Sequence, residues 1–452
     1  MYRAVPHVTA RQLALGALCA AVAHVGVAQA TAQEGNEMGI TGVTASDADL
    51  TVPTEAPEGE TLRYGLGFPF QLSATEAALF CNLRVEGVPV YDFEAGTDVV
   101  IFDHLGHISA EDATPISRNE RRQHPELGPR IIVKYPVIGG FVPVGALQED
   151  GSPHPDAGTG FGICQAISFP VNEDGYFGWD TERIHRTEVH QLSYDGAHFH
   201  SVRSQSGLEG ETHPRVGESG WSIVAPGITN AIPDGDDLLQ PVLAYDGTVQ
   251  RCGVARWQRS DGVWRPLAFS PVSPAGESWT EPSMVRDVDG ALLFSARGYG
   301  EAPSNEVRVW RRARGTSEWR LVIDVQDARH QAPVSIGRAA DGTPFIGANL
   351  LGSGREVLQL WPLNPERTEV EEPITIRDAP AQFGSPGEDS RWMVDHPSAA
   401  VVRLADGRWH ALLAYRILHS DEHHGAQPAP QTGCYVEEVT SAGPPVSPWR
   451  FE

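Results

Sequence analysis

Pro282-Ser283-Met284-Val285, then Asp289-Gly290, then Ala291-Leu292-Leu293-Phe294: an apolar run, a turn dipeptide and a second apolar run stand in the middle of the chain. Asp-Gly between two such runs is a strong hairpin signal, because both residues accept the positive φ of a tight turn. The arrangement recurs at Asp195-Gly196, Asp246-Gly247, Asp341-Gly342 and Asp406-Gly407, at intervals of 51, 43, 52 and 65 residues. Helical periodicity is nearly absent. A strand-rich repeat near 50 residues predicts an all-β fold, a single β-propeller with one four-stranded blade per repeat.

A second hairpin follows the first in at least two repeats. Arg256-Trp257 leads through Asp261-Gly262 to Trp264-Arg265, and Val309-Trp310 leads through Gly315 to Trp319-Arg320. Five blades fill residues 188–452, and residues 60–187 leave room for two more. The spacing therefore predicts seven blades, with six as the other count, and does not assign strands in that first third.

Ahead of the repeats lie two different segments. Residues 1–30 carry Arg3 and Arg11, an apolar core from Leu13 to Val27 and the small-residue exit Ala28-Gln29-Ala30, the three parts of a cleavable secretory signal peptide. Its core is too short and too alanine-rich to span a bilayer comfortably. The expected destination is outside the cytoplasm, secreted or periplasmic, with no membrane attachment after cleavage. Residues 31–58 are polar and acidic and are expected to form a disordered linker. The propeller domain then occupies 59–452.

The formal charge is −25, and loss of a leader with two positive charges and no acid makes it −27. So acidic a chain is a poor partner for nucleic acid or anionic membrane. An anionic ligand would need a local arginine cluster. Cys81, Cys164, Cys252 and Cys434 remain after cleavage, which permits two disulfides or four buried free thiols. Joining of the two chain ends in a ring favours Cys81 with Cys434, leaving Cys164 with Cys252.

Ser260-Asp261-Gly262-Val263-Trp264 and Gly276-Glu277-Ser278-Trp279 resemble the Asp-box turns of sialidase-like propellers (Ser-x-Asp-x-Gly-x-Thr-Trp) without matching the full pattern. Glu281-Pro282-Ser283 through Asp289-Gly290 to Arg297 resembles an inner hairpin of that superfamily. The resemblance covers roughly residues 188–416. The Arg-Ile-Pro segment that supplies the first sialidase arginine has no counterpart. Asp395-His396-Pro397-Ser398 to Arg416 is similar to the inner hairpin of propeller-type ulvan lyases, except that a His closes that hairpin in the lyases and Arg416 closes it here. These resemblances imply a carbohydrate-active protein, a lyase or a glycosidase.

Spacing nominates the site. Arg203, Arg256, Arg297, Asn349 and Arg416 follow their Asp-Gly aspartates by 8, 10, 8, 8 and 10 residues. Side chains on a strand alternate faces, so even offsets place all five on equivalent faces. At the hairpin starts stand His190, Gln240, Glu281, Gln331 beside His330, and His396. The expectation is one mouth at which arginines bind an anionic oligo- or polysaccharide (uronate, sulfated or sialylated), with His396, Glu281 and His190 as catalytic candidates. In the lyase reading a His removes the proton beside the carboxylate. In the sialidase-like reading Glu281 supports a Tyr nucleophile. A non-catalytic glycan- or protein-binding propeller is the third reading. His198 with His200, and His419, His423 and His424 near Asp421, are weaker groupings; the pattern assigns no metal and no cofactor.

Overall fold

The computed structural model describes residues 38–46, 50–51, 54–55, 61–87, 95–124, 128–171, 184–205, 213–299, 306–326, 332–349 and 355–452. The predicted leader lies outside them, as do His330 and Gln331. The described residues are 60% strand and 4% helix. No helix among the described residues is long and apolar enough to cross a membrane.

Six antiparallel sheets form, and each is a blade. Blade 1 holds Thr61–Gln71, Ala77–Val85, Gly96–Phe102 and Ala113–Arg118, with the short Thr54–Glu55 beside the first of these. Blade 2 holds Gly128–Val142, Thr159–Pro170, Ile184–Tyr194 and Phe199–Gln205, preceded by Glu120–His124. In blade 3 an interrupted first strand, Ser222–Pro226 and Ile232–Asp234, precedes Asp237–Tyr245, Gln250–Ser260 and Val263–Pro271. Blade 4 is Trp279–Arg286, Leu292–Gly298, Glu306–Arg312 and Arg320–Gln326; blade 5 is Ser335–Arg338, Pro344–Asn349, Val357–Pro362 and Ile374–Asp378. Blade 6 is Trp392–Arg403, Trp409–His419 and Gly433–Ser441, completed by Ile40–Ala45 from the other end of the chain. Blades 1 and 2 touch through their first strands, as do blades 4, 5 and 6, and blade 6 returns to blade 1 in the same way; blade 3 meets blade 4 chiefly through Asp237–Tyr245.

The blade count is six, not the favoured seven, and the Asp-Gly turns explain the difference. Only Asp289-Gly290, Asp341-Gly342 and Asp406-Gly407 join first to second strands. Asp195-Gly196 joins the third and fourth strands of blade 2, so residues 188–205 complete a blade rather than begin one. Asp246-Gly247 joins the second and third strands of blade 3 and sits on the opposite rim. What the five turns share is local chemistry. Each aspartate Oδ1 accepts the N–H two residues on at 2.8–2.9 Å, and each following glycine has φ between 76° and 97°. Part of the stretch read as a linker is also ordered: Ile40–Ala45 and Thr54–Glu55 are strands, and the first closes the ring against Gly433–Ser441.

The blades pack through interleaved aromatic side chains. Phe70, Phe80, Phe141 and Phe199 form one cluster between blades 1 and 2, with ring centroids 5.4–6.1 Å apart. Phe161 stacks on Trp257 at 3.9 Å between blades 2 and 3. Each such ring, fully buried, contributes ~1.5–3 kcal/mol. Cys81, Cys164, Cys252 and Cys434 are all buried. Cys81 and Cys434 interact side chain to side chain across blades 1 and 6. The other expected pair is not formed: Cys164 lies with Glu188 and His190, whereas Cys252 lies near Glu281 and Arg297.

One segment decides what the axis can hold. Between the two halves of the first strand of blade 3, Ile228 N donates to Pro282 O at 2.9 Å and Ala231 N to Gly139 O at 2.7 Å. Asn230 Nδ2 donates to Pro69 O at 2.6 Å, and Ile228 O accepts Ser398 Oγ at 2.8 Å. A single segment thus bonds to the first strands of blades 1, 2, 4 and 6 and stoppers the axis. Gly227 is required there, because a Cβ would stand 2.4 Å from Pro282 O and 2.6 Å from Pro241 O.

Candidate functional site

Two rims result: a hairpin rim, where first strands turn into second strands, and a mouth rim, where first strands begin and second strands end. At the mouth rim, blades 4 and 6 repeat one device. Glu281-Pro282-Ser283 and His396-Pro397-Ser398 each interrupt the register of a first strand. Glu281 and His396 are two of four described non-glycine residues with positive φ. Such conformations cost of order 1–3 kcal/mol and gather at functional sites.

Across blade 6, Asp395 anchors a network. Its carboxylate accepts Arg416 Nε at 2.9 Å and Arg355 Nη1 at 2.8 Å, and its Oδ1 stands 2.8 Å from His396 Nδ1. Asp395 and Arg416 are wholly buried, while Arg355 is 22% and His396 10% exposed. Burial alone would raise the carboxyl pKa, but Arg416, His396 and Arg355 overcome it and hold Asp395 well below its ordinary value. An ionised Asp395 only accepts, so His396 donates to it from Nδ1. Across blade 4, Arg297 donates from Nε to Glu281 Oε2. Glu281 retains 28% side-chain exposure.

Blade 1 supplies the same rim. Arg84 ends its second strand, the place that Arg297 and Arg416 hold in blades 4 and 6. A Cβ at Gly65 would lie 3.9 Å from the Cδ atoms of both Arg84 and Arg416, so these two guanidinium stems are neighbours. Arg84 Nη1 faces Glu422 Oε2 at 3.4 Å, and Arg63 Nε meets Glu86 at 2.5 Å. Tyr64 Oη donates to Asp98 at 3.2 Å, and Arg118 holds the same carboxylate at 2.5 Å. Spacing found none of Arg63, Arg84, Arg355 or Asp395 as site residues. Blade 1 turns at Ser73–Glu76 without Asp-Gly, so no offset pointed to Arg84.

The nominated residues do not all meet. Glu281 joins Arg297, and His396 and Arg416 meet on the Asp395 carboxylate. Arg203 pairs with Glu188 at 3.3 Å on the outer strands of blade 2, beside His190. Arg256 pairs with Asp237, at the start of a second strand and hence toward the hairpin rim. Its Asp-Gly turn is a second-to-third connection, which reverses the sense of the offset. Asn349 is buried and donates to the carbonyls of Arg355, Val357 and Val394, tying blade 5 to blade 6. Gln240 is buried within the second strand of blade 3. Each nominated arginine thus faces a carboxylate of its own rather than a common pocket.

Two cavities open on the hairpin rim. One of about 920 Å³ is lined by Asp234, Arg286, Arg312, Arg314, Trp449 and Arg450 among others. The second, about 350 Å³, is lined by Phe70, Phe141, Met284, Arg286, Arg338 and Trp449 among others. Of the weaker histidine groupings, His198 and His200 are exposed beside Asp195, and His419 has both ring nitrogens engaged, by Ser390 Oγ and Gln427 O.

No family model matches the chain, and no curated protein matches it. Among solved structures it is similar to a Dyadobacter fermentans protein of unknown function, at 14% identity and TM-score 0.50, over 89% of this chain and 99% of that one. It is also similar to Trypanosoma rangeli sialidase, at 12% identity and TM-score 0.50, over 89% of this chain. The match spans 58% of the sialidase's length. The likeness establishes the fold, a β-propeller like that of the sialidase.

Proposed function

We propose that this chain is a secreted or periplasmic protein that cleaves an acidic glycan at its mouth rim. The observation that carries the reading is His396 held by the buried Asp395 in a positive-φ bulge, with Arg355 and Arg416 on the same carboxylate. An imidazole oriented in this way is a general base. In this reading the partly exposed Arg355 and the Glu281–Arg297 pair are the candidates to meet a substrate carboxylate.

In the elimination reading, His396 Nε2 takes the C5 proton of a uronate while a guanidinium stabilises the carboxylate as charge spreads onto it. The electron pair forms the C4–C5 double bond, the bond from C4 to the glycosidic oxygen breaks, and that oxygen takes a proton from the imidazolium or from water. Glu281, already bound to Arg297, is suited to ordering that guanidinium.

The second reading is hydrolysis of a sialylated glycan. It is supported by the shared fold with a sialidase solved in complex with a difluorinated nononic acid. Three described tyrosines, Tyr64 on Asp98, Tyr194 on Glu76 and Tyr415 on Glu437, stand beside carboxylates as a tyrosine nucleophile would. All three are buried, and burial pushes each phenol up, away from the phenolate. Incubation with uronate-containing, sulfated and sialylated glycans separates the readings. An unsaturated, ultraviolet-absorbing product marks elimination, free sialic acid marks hydrolysis, and binding without turnover refutes both.

A further inference from the structure

We propose that blade 2 holds a divalent transition-metal ion of the zinc class, bound by Cys164, Glu188 and His190. These residues are separate from the mouth-rim network, and the reading does not depend on it. Glu188 lies directly across the ladder from Cys164, and His190 is two residues further on, so all three project from one face of the sheet. One ligand atom from each lies within 4.8 Å of the others. Cys164 is 0%, Glu188 1% and His190 7% exposed.

The argument rests on polar atoms left over at one point. Glu188 Oε1 is engaged by Arg203 at 3.3 Å, but Oε2 is buried with no hydrogen-bond partner. His190 Nδ1 is engaged by Ser201 Oγ at 3.0 Å, but Nε2 is likewise buried without one. The two stand 3.8 Å apart. Buried polar groups are normally satisfied, and leaving one unsatisfied costs free energy. A cation between them satisfies both, and the Cys164 sulfur stands within reach as its third ligand.

The chemistry of the set selects the metal. Thiolate, imidazole and carboxylate together suit zinc rather than calcium or magnesium, which prefer oxygen. Zinc bonds of about 2.0–2.3 Å place ligand atoms roughly 3.3–3.7 Å apart, so modest side-chain rotation closes the set. The hydroxyl of Ser201 on Nδ1 is the outer hydrogen bond that orients a metal-binding histidine. Lys134, the other cation that acts on Glu188, is itself held by Glu120. On binding, the Cys164 thiol gives up its proton to solvent and the sulfur becomes a thiolate ligand.

The test is cobalt substitution in the purified full chain, with Co²⁺ and Zn²⁺ as the only added metals. The expected result is one Co²⁺ per chain with a thiolate-to-cobalt charge-transfer band, bleached by equimolar Zn²⁺ and absent in Cys164→Ser and His190→Gln. No binding overturns the proposal, as does binding without the thiolate band, which would point to exposed histidines such as His198 and His200. If the variants fail to fold, X-ray absorption on the wild-type protein decides. One sulfur in the first shell supports the site; none, or two as Cys81 with Cys434 would give, overturns it.

Discussion

Asp395 and Arg416 form an ion pair at 2.9 Å in which neither side chain has any exposure. A buried pair of this kind is poorly spared, because removing one partner strands the other charge in a dry interior. Arg416→Ala is expected to destabilise the fold by ~3–5 kcal/mol. Arg355→Ala, which removes a partly exposed partner of the same carboxylate, should cost less. Urea unfolding midpoints of the two variants check the order, and equal losses would refute it.

Acid should dissolve the same network. The folded Asp395 titrates below its unfolded value of 3.8, so its pairing stabilises the fold above that value and is lost as pH falls through the folded pKa. The stability gap between wild type and Asp395→Asn should therefore be widest near neutrality and shrink below about pH 4. Denaturant titrations across pH 2–7 read it, and a gap that grows on acidification contradicts the assignment.

His396→Asn tests the base with little disturbance of the backbone, since Asn tolerates positive φ better than most residues. Turnover on the responsive glycan should fall by ~10²–10⁴ while binding and thermal stability change little. A variant with wild-type turnover removes His396 from the mechanism.

The plug can be tested by one methyl group. Gly227→Ala brings a Cβ against two carbonyl oxygens, those of Pro282 and Pro241. The expected loss is ~1–3 kcal/mol, as for other overpacked interiors. Gly39→Ala, whose added Cβ would meet nothing within 4 Å and whose φ, like that of Gly227, is not positive, is the uncrowded control.

Export should join Cys81 to Cys434. The two thiols are neighbours in blades 1 and 6, and an oxidising compartment favours a bridge. Non-reducing peptide mapping of protein recovered from outside the cytoplasm should find that linkage. Its reduction should lower stability by ~2–4 kcal/mol.

The class of fold was legible because Asp-Gly turns report hairpins through local chemistry alone. The number of blades was not, because Asp195 and Asp246 report turns just as faithfully as Asp289 does, without saying which strands they join. The pairs Glu281–Arg297 and His396–Arg416 followed from hairpin symmetry within one blade, where distance along the chain and distance across the ladder are linked. Arg256 failed by the same logic, since its turn is of the other kind. Asp395 stood beside a nominated residue and carried no pattern of its own. Its importance comes from three partners drawn from two blades, which only packing reveals. Ile40–Ala45 is a strand because the last blade lacks an outer edge, a need invisible to a local reading of residues 31–58.

The stopper formed by Gly227–Ala231 makes the ring a dish rather than a tube. A chain of sugars has no way through, so whatever settles on the mouth rim must arrive and depart on the same side. The Arg-lined hollows behind the stopper then serve a separate clientele, and a molecule lodged there leaves the path of traffic at the mouth clear. The protein has two independent faces on one frame, and inhibitors raised against one need not compete with ligands of the other.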